Sequence, residues 1–562
     1  MARFFWIFAF VVLGCGSDVA QTAFRPSVSP PFDCEPASEP VTLPSEPALG
    51  GGDSLSTSPL IGDTYGAGLG PGIALVARDG FRLYQNDELV AEDTASLVPK
   101  FVPLTFLPGD NVVSVVVSSR DRAPALLVHI DELERPYLSD AAWKVTTAPD
   151  GDFRSPGYDA SGWDDAVDHG AGCEPAPGFV PGSGAHWIGT PDENARTAVF
   201  RLAIRIAPTG FGAATTGGEG TAPVLARDAE ELALLLEDDA PGVILVPEGH
   251  LDFRRPVSEA LIENACPLAC DDGSGKITYV ALSDLQTCDE PTRPIPRDER
   301  HLTLRSNKTV VGLGRGATLQ GTWLSITDAE NVILRNIAIY DVNPEIIEAG
   351  DGVGIERASR IWLDHVTFRW IGDGFVDVTD VMGQASDITL SWIHFDGNSE
   401  FACADHHPRA NEISGASVTI HHSFYDHVTG RAPLANRAPA RVHLFNNLVS
   451  DNPDYAVGAA CGAEILLEES LFESVSFPTL RRDCPDDASL GKIFAPEGSN
   501  EYDASTGSHQ LSGADSPEPR DMVVPPAYDY VLDDALDARD TVRDRAGAGA
   551  HWGLPFALDR RF

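Results

Sequence analysis

Three carboxylates and three arginines set the chemistry that this sequence could do. Asp351, Asp373 and Asp377 lie in GDGVGIERASRIWLDHVTFRWIGDGFVDVTD. Hard oxygen donors of this kind suit calcium. Arg431, Arg437 and Arg441 lie in RAPLANRAPAR, and guanidinium groups fork onto the carboxylates of a ligand. Taken singly, an Asp-Gly pair only marks a turn, and an exposed arginine usually makes a surface ion pair. Together they matter because the chain is so acidic: 84 Asp and Glu against 40 Lys and Arg give a formal net charge of −44. That balance repels phosphate backbones and anionic lipid, which argues against nucleic acid as a partner. An acidic ligand would have to be met by local positive charge. Five of the 40 cations are lysine, and none lies between Lys308 and Lys492.

Residues so far apart can share a site only if the chain brings them together, and a repeat does so. VILRNIAI begins at 332, IWLDHVTF at 361, ITLSWIHF at 388, VTIHHSFY at 418, VHLFNNLV at 442 and ILLEESLF at 465. Each unit is a short apolar, β-branched run, a polar corner and a second apolar run, at a period that indicates a solenoid. The segments lack the 3.6-residue periodicity of helical repeats. Stacked coils of parallel strands would line the three aspartates and the arginines along one groove. At the corners, His365, His421 and His422 read as scaffold rather than as acid–base groups.

The chain is long enough for two folded domains with linkers. Residues 1–15 read as an export signal: Arg3 precedes a short apolar run that ends Val12-Leu13-Gly14-Cys15, similar to a bacterial lipobox. Cys15 would then carry lipid, and Gly16 after it fits an outer-membrane lipoprotein; a secreted protein with an ordinary signal is the alternative. Residues 16–72 are a Pro/Ser/Gly-rich linker. Residues 73–206 hold short alternating runs with frequent turns, as in a β-sandwich, and YLSDAAWKV…GWDDA…AHWIGT resembles galactose-binding-like accessory domains. Trp143, Trp163 and Trp187 there read as core rather than as sugar platforms. Eight cysteines besides Cys15 form an even set that suggests disulfides in an exported chain. Cys266, Cys270 and Cys288 are alternatively metal ligands, though no histidine lies between Asp271 and Cys288 to complete a zinc set.

The solenoid, residues 207–562, resembles the pectate lyases of the right-handed parallel β-helix type. The resemblance rests on LRSNKTVVGLGRGATLQGTWLSI, NVILRNIAI, IWLDH, DGFVD, VTIHHSFY, the RAP of 431–433, VHLFNN and PPAYDYVLDDALDARDTVRDRAGAG. It implies an all-β chain, a parallel β-helix preceded by a smaller β-sandwich, and a lyase that cleaves polygalacturonate by β-elimination. It also implies calcium held by Asp351, Asp373 and Asp377, with Arg431 as the base and Arg437 or Arg441 on a substrate carboxylate. Arginine side chains are ordinarily protonated, so this base role comes from the resemblance alone. The partner expected is an acidic polysaccharide, with the membrane reached only through a lipid anchor and the protein a monomer.

Three departures stand out. Arg437 comes one residue late for the family's second arginine, Glu400 stands where a lysine is usual, and Ala349 stands where an additional acidic ligand is expected, beside Glu348. Alternatives are a lyase for another uronate, a β-helix glycosidase, whose Gly-His-Gly and Arg-Ile-Lys motifs are absent, and a non-catalytic polysaccharide-binding protein that keeps the fold.

Overall fold

A computed structural model of the protein describes residues 70–549, apart from 95–96, 171–178, 181–182, 283–286, 380–384, 485–488, 504–505 and 512–526. The apolar leader, Cys15 and nearly all of the 16–72 linker lie outside the described residues. Among the described residues no helix is long and apolar enough to cross a membrane.

Between residues 72 and 206 two antiparallel sheets of six strands pack face to face. The ten-residue strands Gly109–Ser118 and Thr197–Ile206 pair along their whole length, Thr197 opposite Ser118 and Ile206 opposite Gly109. Their alternating valines and the inward residues of Gly72–Ala77 and Ala125–Asp131 form one core around Trp143. Ala125–Asp131 is buried on both faces, because Phe179 and Trp187 cover its other side. Trp143 and Trp187 are therefore core residues, as expected, while Trp163 packs edge-on against Tyr158.

The repeats fold into a parallel β-helix whose strands form three ladders. Val332, Ile361, Ile388, Val418, Val442, Ile465 and Ile493 occupy equivalent positions on the first ladder, so the sequence repeat and the register coincide. In each unit the second apolar run builds the second ladder, where Phe368, Phe395 and Tyr425 stack inside the solenoid. The bend between them falls on Asn336, His365, Trp392, His422 and Asn446, all in the left-handed region with φ between +49° and +57°. Asparagine tolerates that region best. The histidines and Trp392 are held there by stacking coil on coil, His365 on Trp392 and Trp392 on His422. These histidines serve the scaffold.

The third ladder runs through Thr322–Thr327, Val353–Glu356, Val376–Thr379, Glu412–Ser414 and Leu434–Asn436. Helix Ala229–Glu237 packs Leu232, Ala233 and Leu236 into the solenoid core near its start. Helix Ala535–Arg545 lays Ala538 and Val542 over Trp392, Phe424, Leu448 and Leu471, covering an apolar strip of the second ladder. An inserted antiparallel sheet, Leu261–Ala269 with Ile277–Ala281 and Arg293–Arg297, joins the short strand Ile346–Ile347 just before Asp351. Disulfides Cys266–Cys288 and Cys270–Cys403 fix this insert, the second to a solenoid loop, and Cys461–Cys484 closes a later coil. The cysteines near 266 are thus disulfides and not metal ligands. Cys34 and Cys173 lie outside the described residues.

Burial holds His421 well below the ordinary histidine value, with the neighbouring His422 adding to it, and burial lowers His443 as well. A histidine whose folded value is depressed takes up its proton more readily when unfolded, so its stabilisation is present above about pH 6.5 and is lost as pH falls below it. Each should cost roughly 1 kcal/mol per pH unit below that point. Urea unfolding at pH 7.5 and 5.5 should show this loss, and His421→Gln should flatten the slope. An unchanged slope would assign the acid sensitivity to other groups.

Candidate active site

The three aspartates converge at the entry to the third ladder. Asp351 lies in the bend before Val353–Glu356, and Asp373 in the bend between Ser359–Ile371 and Val376–Thr379. Asp377 faces outward from Val376–Thr379, in register with Gly354. Glycine matters at 354: a Cβ there would lie 3.4 Å from both Asp351 Oδ2 and the ring of Trp323. Backbone bonds hold the bends: Asp373 N–H donates to Gly350 O at 3.0 Å, and Gly352 N–H to Gly374 O at 2.9 Å.

The electrostatics follow from crowding. Burial, then the charge of Asp373, pushes the Asp351 carboxyl up to about 7, against the opposing pull of the Gly374 N–H and of Arg431. Burial, then Asp351 and Asp373, also raises Asp377 well above the usual carboxylate range, despite the 2.8 Å bond its Oδ1 accepts from Glu412 N–H. Three mutually repelling carboxylates on neighbouring coils form a donor set that a hard divalent cation would relieve, so their chemistry fits calcium. They are spread more widely than the tightest acid–histidine groups among the described residues. Those groups, His394–Asp396–Asp426 and Asp426–His427–Asp451, have ligand atoms within 4.8 Å of one another on the second ladder. Asn398 already bridges Asp396 and Asp426, and Arg369 Nε lies 3.5 Å from Asp396.

Arg431 reaches this cluster from two coils beyond Asp377. It stands in the left-handed region, φ +55°, an uncommon conformation for arginine that the rung around it enforces. Asn411 N–H donates to Arg431 O at 2.7 Å, and Ala432 N–H to Ala456 O at 2.8 Å. Its guanidinium pairs with Glu412, Nη1 to Oε2 at 2.9 Å, and Asn436 Nδ2 donates to the other Glu412 oxygen at 2.9 Å. Glu412 is the site residue that the sequence reading missed. The signal was present: Asp377-Val378-Thr379 and Glu412-Ile413-Ser414 repeat an acid–apolar–hydroxyl pattern, and Val378 pairs with Ile413.

The remaining expected residues lie elsewhere. Arg437 is exposed at the corner that ends Leu434–Asn436, and Asn436 takes the outward place facing Glu412. Arg441 opens the first-ladder strand Arg441–Phe445, paired with Ser417 and Glu464, on a different face of the coil from Arg431. Ala349 is buried against the inserted sheet, whereas the neighbouring Glu348 carboxylate pairs with Arg409. Glu400 is exposed in the loop before Cys403. A lysine does approach that loop: Lys276 of the insert donates to Ala402 O at 3.0 Å and pairs with Asp405. Counting along the coils could not find it, because it comes from an insertion far upstream.

The pectate lyase family matches residues 296–551. A probable pectin lyase F-2 of Aspergillus terreus is 30% identical over 303 residues, which cover 52% of this chain and 61% of that one. A probable pectin lyase F of Emericella nidulans is 30% identical over 328 residues, 56% of this chain and 68% of that one. The chain thus spans somewhat under two thirds of the first relative's length. Among solved structures, pectate lyase II from Xanthomonas campestris aligns with a TM-score of 0.41 at 19% identity, over 62% of this chain and all of that one. A Bacillus pectate lyase in complex with trigalacturonate aligns with a TM-score of 0.42 at 19% identity, over 61% of this chain and all of that one. By its coiled ladders and its sequence relatives, the chain belongs to the pectate lyase family of polysaccharide lyases.

Proposed function

We propose that the protein cleaves pectate by calcium-assisted β-elimination. The observation that carries this reading is the convergence of Asp351, Asp373 and Asp377 with Arg431 at one edge of the third ladder. Calcium would be held by the three aspartates, where it would neutralise the charge that builds on the galacturonate carboxylate as the C5 proton leaves. Arg431 takes that proton at a nitrogen of its neutral guanidine form, having first released its own proton to solvent. The C5–H electron pair becomes the C4–C5 double bond, the C4–O bond breaks, and the departing oxygen is protonated from solvent. For this Arg431 must leave Glu412, whose carboxylate, still held by Asn436, then draws the proton-bearing guanidinium back. Trp323, half-buried beside Asp351 and stacked on His301 with ring centroids 4.1 Å apart, offers an apolar surface for a neighbouring sugar ring.

The named relatives in Aspergillus terreus and Emericella nidulans are probable pectin lyases, which makes a methyl-esterified polymer the second reading. We also place the protein outside the cytoplasm, exported by its leader and anchored through Cys15. The test is the ultraviolet absorbance of unsaturated uronate ends, with residues 16–562 on polygalacturonate and on esterified pectin, each with calcium or with a chelator. A rise on polygalacturonate that the chelator abolishes is the expected result. A chelator-insensitive rise confined to esterified pectin would favour the second reading, and no rise on either would leave a binding protein.

A further inference from the structure

Breaking the C4–O bond leaves an oxygen that must gain a proton, and a side chain held at that bond delivers one faster than bulk water does. Arg431 is occupied with the C5 proton. The next coil offers a donor. Ala432 N–H donates to Ala456 O at 2.8 Å, so Tyr455 stands one coil beyond Arg431 at the same place in the coil. Asn452, fully buried, donates from Nδ2 to Tyr455 O at 3.2 Å and fixes the main chain there.

Two glycines seat the Tyr455 ring. A Cβ at Gly430 would lie 3.3 Å from Tyr455 Cε1 and 3.5 Å from Cζ, so the hydroxyl end of the ring rests against the residue that precedes Arg431. A Cβ at Gly458 would lie 2.8 Å from Cε2, closer than packed atoms tolerate, so glycine lets the ring down at that position. Gly458 pairs with Leu434, and Leu434 with Glu412. The ring therefore takes the next place on the outward column of the third ladder that carries Glu412. Tyr455 is 9% exposed, and among the described residues its hydroxyl has no hydrogen-bond partner. A polar group so nearly buried and left unpaired calls for an explanation. The Arg482 guanidinium lies over the ring, 5.5 Å from its centroid. Burial raises the hydroxyl above the ordinary tyrosine value, and Arg482 and Arg431 act against the rise. At neutral pH the group thus carries its proton, with two cations near enough to steady the oxygen once the proton has gone.

We propose that Tyr455 is the general acid of the elimination, the group through which solvent supplies the proton of the departing oxygen. This rests on the lyase reading. As Arg431 takes the C5 proton and the C5–H electron pair becomes the C4–C5 double bond, the C4–O pair stays with the departing oxygen, which takes the Tyr455 hydroxyl proton. The tyrosinate beside Arg431 and Arg482 is then reprotonated from solvent, and Arg431 gives its own new proton to solvent.

Tyr455→Phe removes one atom and no hydrogen bond to a described residue, so the urea midpoint and the affinity for trigalacturonate should not change. On the polymer that the unaltered protein cleaves, kcat should fall about a hundredfold, within the range of general acid–base catalysis, with KM unchanged. Imidazolium, added at fixed ionic strength and free calcium, should then restore part of the rate in proportion to its concentration, as an acid that diffuses into the place of the hydroxyl. The unaltered protein should be indifferent to it, and a purely structural role for the ring would give no such rescue. An undiminished kcat, a loss that imidazolium does not relieve, or a loss confined to KM would each overturn the proposal and leave the lyase reading intact. No unsaturated ends from the unaltered protein on either polygalacturonate or esterified pectin would overturn both.

Discussion

Arg431→Ala should lower turnover on polygalacturonate about a thousandfold, the range general-base removal reaches, while the protein keeps its fold and still binds trigalacturonate. The fold should survive because the rung around residue 431 is held by main-chain bonds, Asn411 to the residue 431 carbonyl and Ala432 to Ala456, which alanine retains. The interpretation needs a control, because removing Arg431 also strips Glu412 of its partner beside three aspartates. If the lost activity reflected only that added negative charge, the double variant Arg431→Ala with Glu412→Gln would recover it. If Arg431 moves the proton, the double variant stays as slow as the single one. A polysaccharide-binding protein without catalysis predicts a third pattern, in which Arg431→Ala weakens binding and there is no turnover to lose. Absorbance at saturating substrate, with calorimetry on the same preparations, separates the three.

The fold was legible because its repeat is written in residues that face the core. Val332, Ile361, Ile388 and Val418 are spaced irregularly along the chain yet stack in one register, since the loops that vary between them lie outside the ladders. The aspartates were legible for the same reason: each sits within a residue or two of a ladder strand. Arg437 and Arg441 were harder. A strand of three residues, Leu434–Asn436, separates Arg431 from Arg437, and the next corner turns the chain onto another ladder, so nearness in sequence did not mean a shared face. Glu412 was obscured by the long loop between Asp396 and Glu412, which hides its register with Asp377. Arg409 and Lys276 depend on a loop and an inserted sheet that follow no repeat. The Cys270–Cys403 disulfide, spanning 133 residues, shows how remote the partners of that loop are. The sandwich was readable as alternating strands, but nothing in its own sequence indicated that it would donate a carboxylate to the solenoid.

That carboxylate belongs to the largest stability effect expected here. Arg335, on the first ladder, is 2% exposed and joins both parts of the protein. Its Nη2 donates to Glu132 of the sandwich at 2.7 Å, its Nη1 to the Phe106 carbonyl at 3.3 Å, and its Nε to Asp364 on the next coil at 2.6 Å. Asp364 is saturated further by Ser391 Oγ at 2.6 Å and His365 Nδ1 at 2.8 Å. Burial works to raise the Asp364 value, yet His365 and Arg335 hold it well below the ordinary carboxylate range. Burial likewise opposes the charge on Arg335, and Glu132 and Asp364 more than offset it. Arg335→Met leaves two buried carboxylates without their cation and should cost about 3–5 kcal/mol. Replacing Arg335, Glu132 and Asp364 together by apolar residues should cost far less, because no charge is stranded. Because the depressed Asp364 value stabilises the fold above about pH 4 and its contribution fades as pH falls further, the gap between Arg335→Met and the unaltered protein should narrow in acid. Urea unfolding of the sandwich and the β-helix, followed by tryptophan fluorescence, would show whether the pair also couples them. One transition in the unaltered protein should become two in Arg335→Met, and a single unshifted transition would mean that the apolar contact of Ile333 and Trp362 with the sandwich core holds the two together without the ion pair.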